Sequence, residues 1–569
     1  MKLRLFGFAI LISLSACSKP PKTLDRSARN NGDSTPNLPQ NPEGTMSTEG
    51  YTELTCGNKE THRGIRSWRR LSNVELKNTV SAVFGVQDVD SSALINDITK
   101  ADVFDTAMVS SNFVGTSRFK GYMAFAENLS NKVDLTKIFP CLAQGKSCMS
   151  STIKTLGASA WRRPLTADES SKLNALYDQL ITDGYKSDEA ARLMVQALVL
   201  SEGFLYRSEL GELQADGSFE LTSWELASAL SYSTLRTVPD AELKTLAAAD
   251  KLRNSAELVK QATRLLADAK AKAAWKDFGA MWLESNNVLS VVKNQAAFND
   301  DVKSKLSLEM QNFFVDTMFS PTKSTWEQLL LADYTLGDSS SSFIYGGTVA
   351  NGKIEFAEPQ RRGLLGHAGF LAAAAVADTP NPIKRGVFVL GRLLCSGFAP
   401  APPTEVPAPK SGLSNKELFQ QHSQGACAGC HKFIDDFGFA MENFDELGKY
   451  RDKDAAGAIV INGTVKIDNK DVKINSPLEL SEAIASSSQG MECFARQTFR
   501  YTLGRPEYAS VPIVGGVQAE DKSTVSQLDK CQIQGLAESM KESGGDLKSA
   551  ILDLVGNPAF RLRLAGPTN

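Results

Sequence analysis

The sequence predicts a mainly α-helical, multidomain chain with one small β-hairpin. Two kinds of signal carry that prediction: a repeated device that starts helices, and apolar residues recurring at helical spacing. Leu71-Ser72-Asn73-Val74-Glu75-Leu76, Leu221-Thr222-Ser223-Trp224-Glu225-Leu226 and Leu413-Ser414-Asn415-Lys416-Glu417-Leu418 each pair a hydroxyl with a Glu three residues on, between leucines. Such a box satisfies two orphan amides at a helix start, and the leucines staple the entry. Leu165-Thr166-Ala167-Asp168-Glu169 is a fourth box without the second leucine. Ala190, Leu193, Met194, Ala197, Leu198, Phe204 and Leu205 follow helical periodicity. From Leu252 to about Phe319 the pattern continues through Leu258, Ala262, Leu265, Leu266, Phe278, Trp282, Phe313 and Phe314, and these aromatic residues read as core. The clearest strand signal is Ile459 to Ile467, which reads as a hairpin turning at Asn462-Gly463.

The first residues read as an export signal. Lys2 and Arg4 precede an apolar run from Leu5 to Leu14, and Leu14-Ser15-Ala16-Cys17 resembles a bacterial lipoprotein cleavage box. Cys17 would then carry the lipid, and Ser18 in place of Asp favours the outer membrane, facing the periplasm or the cell surface. An ordinary secretory signal is the alternative, and both readings export the chain. Residues from Ser18 to about Gly50 are rich in Pro, Ser, Asn and Gly and cannot bury enough surface to order themselves. No later run is long enough to span a bilayer; the best, Leu364 to Val376, is short and contains His367. A formal charge of −3 with both signs interspersed gives no reason to expect nucleic acid. The length, 569 residues, implies several domains with separate cores.

Chemistry concentrates at Cys427-Ala428-Gly429-Cys430-His431. Two thiols at this spacing can each add to a haem vinyl group, and the adjacent imidazole can bind the iron, so the motif reads as attachment of one covalent c-type haem. With nine Cys and four His in the chain, chance would produce it on the order of once in a thousand sequences of this composition. A redox dithiol would want a strand ahead of it, whereas the approach from Leu413 to Gln424 is helical and polar. A structural zinc would want a second ligand pair, and none follows within sixty residues. The predicted class is therefore a multidomain helical body with a cytochrome c-like haem domain and a small β-hairpin. The expected order is a lipoprotein signal over 1–17, a disordered tether over 18–60, and helical domains over 61–140, 141–210 and 211–350. A haem-bearing domain with a proline-rich linker follows over 351–455, then the hairpin and a helical domain over 456–569.

Six cysteines remain once Cys17, Cys427 and Cys430 are set aside: Cys56, Cys141, Cys148, Cys395, Cys493 and Cys531. An exported chain can oxidise them to three disulfides. Cys141 with Cys148 is the expected local loop, and Cys493 with Cys531 is a further candidate.

Several blocks together resemble the planctomycete-type multidomain haem c proteins, exported proteins built from consecutive domains of unknown function. They are Arg69 to Leu76, Trp161 to Thr166, Leu200 to Arg207, Asp333-Tyr334-Thr335, Arg361 to Leu365, Ile383 to Leu390, Leu393-Leu394-Cys395, Cys427 to His431, Ile434-Asp435, Gly438 to Asp445, Cys493, and Tyr501 to Arg505. Each is weak alone; their order is specific. The resemblance implies a haem c protein without implying a reaction. Asp436 stands where that family usually has Pro, and no additional N-terminal cytochrome motif is present, so the expectation is one haem.

His431 is the expected proximal ligand, and the sixth position decides what the iron does. Met491, sixty residues on, resembles in spacing the thioether ligand of small cytochromes c and ranks first. Met441 reads as packing, His422 as a surface or capping residue, and His367 as a hydrogen-bonded core residue. Lys384, Arg385 and Arg392 read as solvated helix charges, with pairing to haem propionates as the alternative. Asp435, Glu442, Asn443 and Asp445 read as braces of the following turn. The leading expectation is an envelope lipoprotein, held to the membrane by its lipid, that passes single electrons to or from an extracytoplasmic redox partner. The alternative is an envelope scaffold that binds a protein or polysaccharide, its haem sensory or structural. A haem peroxidase comes third, for want of a distal acid-base residue.

Overall fold

The computed structural model describes residues 56, 66, 69–99, 103–107, 114–144, 146–396, 413–421, 428–507 and 524–564. The export signal with Cys17, the tether apart from Cys56, the linker prolines, His422 and Cys427 lie outside them, as does the side chain of Cys148. The described chain is mainly helical with a few short strands, and none of its helices is long and apolar enough to cross a membrane. It divides into two compact units, the first over 73–96 and 114–207, the second over 45–72, 97–113 and 208–569.

In the first unit the helices Asn73–Phe84, Thr116–Lys132, Lys146–Ala160, Ala167–Thr182 and Ser187–Leu200 bury their apolar stripes. The box at Thr166 forms: its side chain accepts from the Glu169 amide while Glu169 accepts from the Thr166 amide. Arg163 forks onto both Glu169 oxygens at 2.9 and 2.7 Å and so pulls that carboxyl down to about 2. Its neighbour Arg162 is buried with φ 61° and donates to the carbonyls of Gly203, Phe204 and Tyr206 at 2.6–3.1 Å. Gly203 lets this contact close, since a Cβ there would stand 2.7 Å from the Trp161 ring. Trp161-Arg162 and the block ending at Arg207 thus form one interlocked corner.

In the second unit a large hydrophobic core draws its residues from Phe104 to Phe560, and a smaller one gathers Val288, Phe298, Val302, Leu306, Ile344, Tyr345 and Leu447. The helices Ala269–Trp282, Asp300–Met318 and Ser488–Leu503 bring Trp275, Phe278, Trp282, Phe314, Phe494 and Tyr501 into mutual ring contact, so aromatic residues far apart in sequence share one interior. The boxes at Thr222 and Ser414 both form. The hairpin exists but is displaced: Gly463–Ile467 pairs antiparallel with Lys470–Ile474. Its two-residue turn is Asp468-Asn469, at φ 51° and 59°, and not Asn462-Gly463. A type I′ turn needs positive φ at both central residues, and Asp and Asn tolerate that conformation.

Disulfides join Cys56 to Cys531 and Cys395 to Cys493, which overturns the Cys493–Cys531 candidate. Cys493 sits on the helix Ser488–Leu503 against the end of the segment Val389–Leu393, where Cys395 emerges. Cys56 pins the end of the expected tether to the helix Thr524–Glu542. Cys141 is also disulfide-bonded.

Candidate functional site

The helix Ala428–Phe439 carries Cys430 and His431 in its first turn. It buries Ile434, Phe437, Gly438 and Phe439, and its position is set by glycines. A Cβ on Gly438 would stand 1.8 Å from the Pro382 carbonyl oxygen, and one on Gly386 would stand 2.4 Å from that of Ile434. The helices Pro382–Phe388 and Ala428–Phe439 therefore touch backbone to backbone. The helix runs unbroken to Phe439, and Asp436 accepts the Thr464 amide at 2.8 Å, which docks the hairpin.

His431 Nδ1 lies 2.8 Å from Asp435 Oδ1, one helical turn on, with the two side chains only 17% and 13% exposed. A carboxylate only accepts, so Nδ1 keeps its proton and donates it in a hydrogen bond to Asp435, which leaves Nε2 as the nitrogen this ring would offer a metal. Cys430, half-buried against the core, is a free thiol. Met491 lies in the first turn of the helix Ser488–Leu503, two residues before the Cys493 disulfide, and packs against the same core. Among the described residues no group of three or more His, Cys, Asp or Glu could hold a metal ion. A cleft of about 190 Å³ opens beside the helix between Asp436, Phe439, Ala440 and residues 458–463. Asp436 is five positions beyond His431, so the cleft borders a different helix face from the histidine.

Family models match four successive stretches, each described as a protein of unknown function. These are PSD3 (DUF1587) over 69–134, PSD5 (DUF1595) over 148–209, PSD4 (DUF1592) over 221–346 and PSCyt3 (DUF1588) over 361–454. The chain carries four consecutive planctomycete cytochrome-c-like domains. The helix bearing His431 belongs to the PSCyt3 stretch. No curated protein and no solved structure gives a significant match.

Within the PSCyt3 domain the arginines are interior carbonyl clamps. Arg385 is fully buried and donates to the carbonyls of Met441, Phe444 and Asp445 at 2.7–2.8 Å, the turn that follows the His431 helix. Burial pulls it down to about 10. Arg361 donates likewise to the Gly366 and Gly448 carbonyls at 2.5 Å and lies over the Phe444 ring. Arg392, also buried, bonds Glu284 at 2.6 Å. Arg385 and Arg392 are thus not solvated charges, because buried carbonyls and a carboxylate recruit them inward; Lys384 alone of the three is exposed. Glu442 accepts from Asn415 and Arg451, Asn443 donates to the Arg451 carbonyl, and Asp445 accepts the amides of Leu447 and Lys449. These three brace the turn, whereas Asp435 faces the histidine.

His367 is fully buried at the junction of the PSD4 and PSCyt3 stretches, and burial holds it neutral down to about 3. Its Nδ1 lies 2.9 Å from the Gly363 carbonyl and its Nε2 2.9 Å from Thr335 Oγ1, which also lies 3.0 Å from Glu309 Oε1. A carbonyl only accepts, so Nδ1 carries the ring proton and Nε2 accepts from Thr335. Thr335 has no second proton for Glu309; the remaining contact requires the proton to sit on the Glu309 carboxyl. Burial, partly opposed by Tyr345 and Arg361, raises Glu309 to about 8. Tyr345 bonds the same carboxyl oxygen and accepts the Ala368 amide. The network is an interior chain.

Proposed function

We propose that the PSCyt3 domain binds one covalent haem c through Cys427, Cys430 and His431 and exchanges single electrons with an extracytoplasmic partner. The observation that supports this most is the pair at the head of the helix: a reduced Cys430 beside a histidine whose Nδ1 is already held by a carboxylate. These residues fit the group, since a thiol is there for a vinyl carbon and Nε2 is the nitrogen presented to iron. When bound, the haem supplies one-electron iron chemistry; the chain orients the ring nitrogen and fixes the helix that carries it. The disulfides Cys56–Cys531 and Cys395–Cys493 support export, because such bonds persist in oxidising compartments. Lipid on Cys17 and an outer-membrane location complete the proposal, with Met491 as the distal ligand.

The test is the reduced absorption spectrum, with and without carbon monoxide, of protein exported from a host that attaches haem c. A haem c spectrum indifferent to carbon monoxide supports a closed iron and electron transfer. Met491→Ala should then make the spectrum respond. Absence of covalent haem after export overturns the proposal.

A further inference from the structure

We infer that Asp435 is a positioning residue that makes His431 an electron-rich ligand and holds the haem iron towards its oxidised form. The inference rests on the haem reading above and adds a role that the helix itself displays. Asp is a poor helix former, yet this one stands inside the helix Ala428–Phe439 with its side chain 13% exposed. Its oxygen lies 2.8 Å from His431 Nδ1, and the pair is largely screened from water, where a charge-assisted hydrogen bond is strongest. A full negative charge on the Nδ1–H pushes density towards Nε2, which favours the more positive state of a bound iron. A neutral carbonyl acceptor on the same nitrogen would do this less. The other acidic residues nearby are engaged elsewhere: Asp436 on the Thr464 amide and Glu442 on Asn415 and Arg451.

The experiment is a spectroelectrochemical titration of the full, haem-loaded chain and of Asp435→Asn, Asp435→Ser and Asp435→Glu, with thermal melting alongside. Asn and Ser remove the charge, and both midpoint potentials should move upward. Glu keeps the charge, and its midpoint should stay nearer the wild type. A residue that merely braced the helix would change the melting temperature and leave the midpoint in place. Equal midpoints in wild type and a haem-loaded neutral variant overturn the inference alone. A wild-type chain that takes up no covalent haem overturns the haem reading, and the inference with it.

Discussion

Replacing Glu309 by Gln tests the proton accounting around His367 without touching the proposed haem site. Glu309 is 2% exposed, and its carboxyl is raised from 4.5 to about 8, chiefly by burial. Below pH 4.5 the folded and unfolded chains both hold its proton, so it contributes no pH dependence. Between 4.5 and 8 the unfolded chain has released the proton and the folded chain retains it, so folding stability falls as pH rises. At about 1.4 kcal/mol per unit, the loss approaches roughly 5 kcal/mol by pH 8 and then levels off. Gln is neutral at every pH and of similar shape. Glu309→Gln should therefore match the wild type near pH 4.5 and exceed it by several kcal/mol at pH 8. His367 works in a lower window: its proton affinity is depressed from 6.5 to about 3, so it contributes stability that is lost as pH falls from 6.5 towards 3. That contribution is common to both proteins and cancels in the comparison. Urea unfolding followed by tryptophan fluorescence is the assay, since Trp275, Trp282 and Trp326 lie in the core that Met310 and Phe313 of the same helix join. A difference between the two proteins that stays constant from pH 5 to pH 8 would refute the assignment of the proton to Glu309.

Gly438→Ala should lower the melting temperature and reduce haem loading together, because its Cβ meets the Pro382 carbonyl at 1.8 Å; overpacking of this kind costs about 1–3 kcal/mol. Arg385→Ala strands the buried carbonyls of Met441 and Phe444 at about 1–3 kcal/mol each, with that of Asp445 beside them, and Arg385→Lys should recover only part in urea unfolding, since an ammonium lacks the guanidinium fork. Replacing Cys395 and Cys493 by Ser should cost about 2–5 kcal/mol and abolish any further effect of reductant at that crosslink, read as the urea midpoint with and without a thiol reagent.

Local signals in the sequence were reliable where short-range chemistry alone decides the outcome. The boxes at Thr166, Thr222 and Ser414 form because each needs only its own Glu three residues on. His367 and the aromatic stripes were legible as core from their apolar neighbours. The hairpin was visible but its turn was not, although Asp468-Asn469 offers two residues tolerant of positive φ between Ile467 and Lys470. Partners separated by hundreds of positions left no local trace: nothing near Cys531 points to Cys56. Charge misled most at Arg385, since a guanidinium goes inside when it can satisfy several carbonyls at once, and those carbonyls come from a turn some sixty residues away. Asp435 was legible in principle as the residue one helical turn beyond His431; the spacing signals a facing pair before any coordinates are known.

The blocks that carry the family likeness prove to be mostly devices for holding backbone. Arg162 clamps the carbonyls of Gly203, Phe204 and Tyr206, Arg361 those of Gly366 and Gly448, and Arg385 those of the turn after the His431 helix. Gly203, Gly386 and Gly438 let these contacts close where a Cβ would collide. None of these residues offers a titrating group to a substrate, and the Glu309–Thr335–His367 chain is buried in the interior. Among the described residues the chemistry suggested by the sequence gathers at the head of one helix, where a thiol, an imidazole and a carboxylate meet within two turns. If one haem is carried there, the rest of the PSCyt3 domain acts as its mount: Arg385 and the paired glycines fix the helix from behind, and Asp435 fixes the ring. Variants of the mount should then change stability and loading, whereas variants of Asp435 should change potential, and that separation is measurable on the same purified protein.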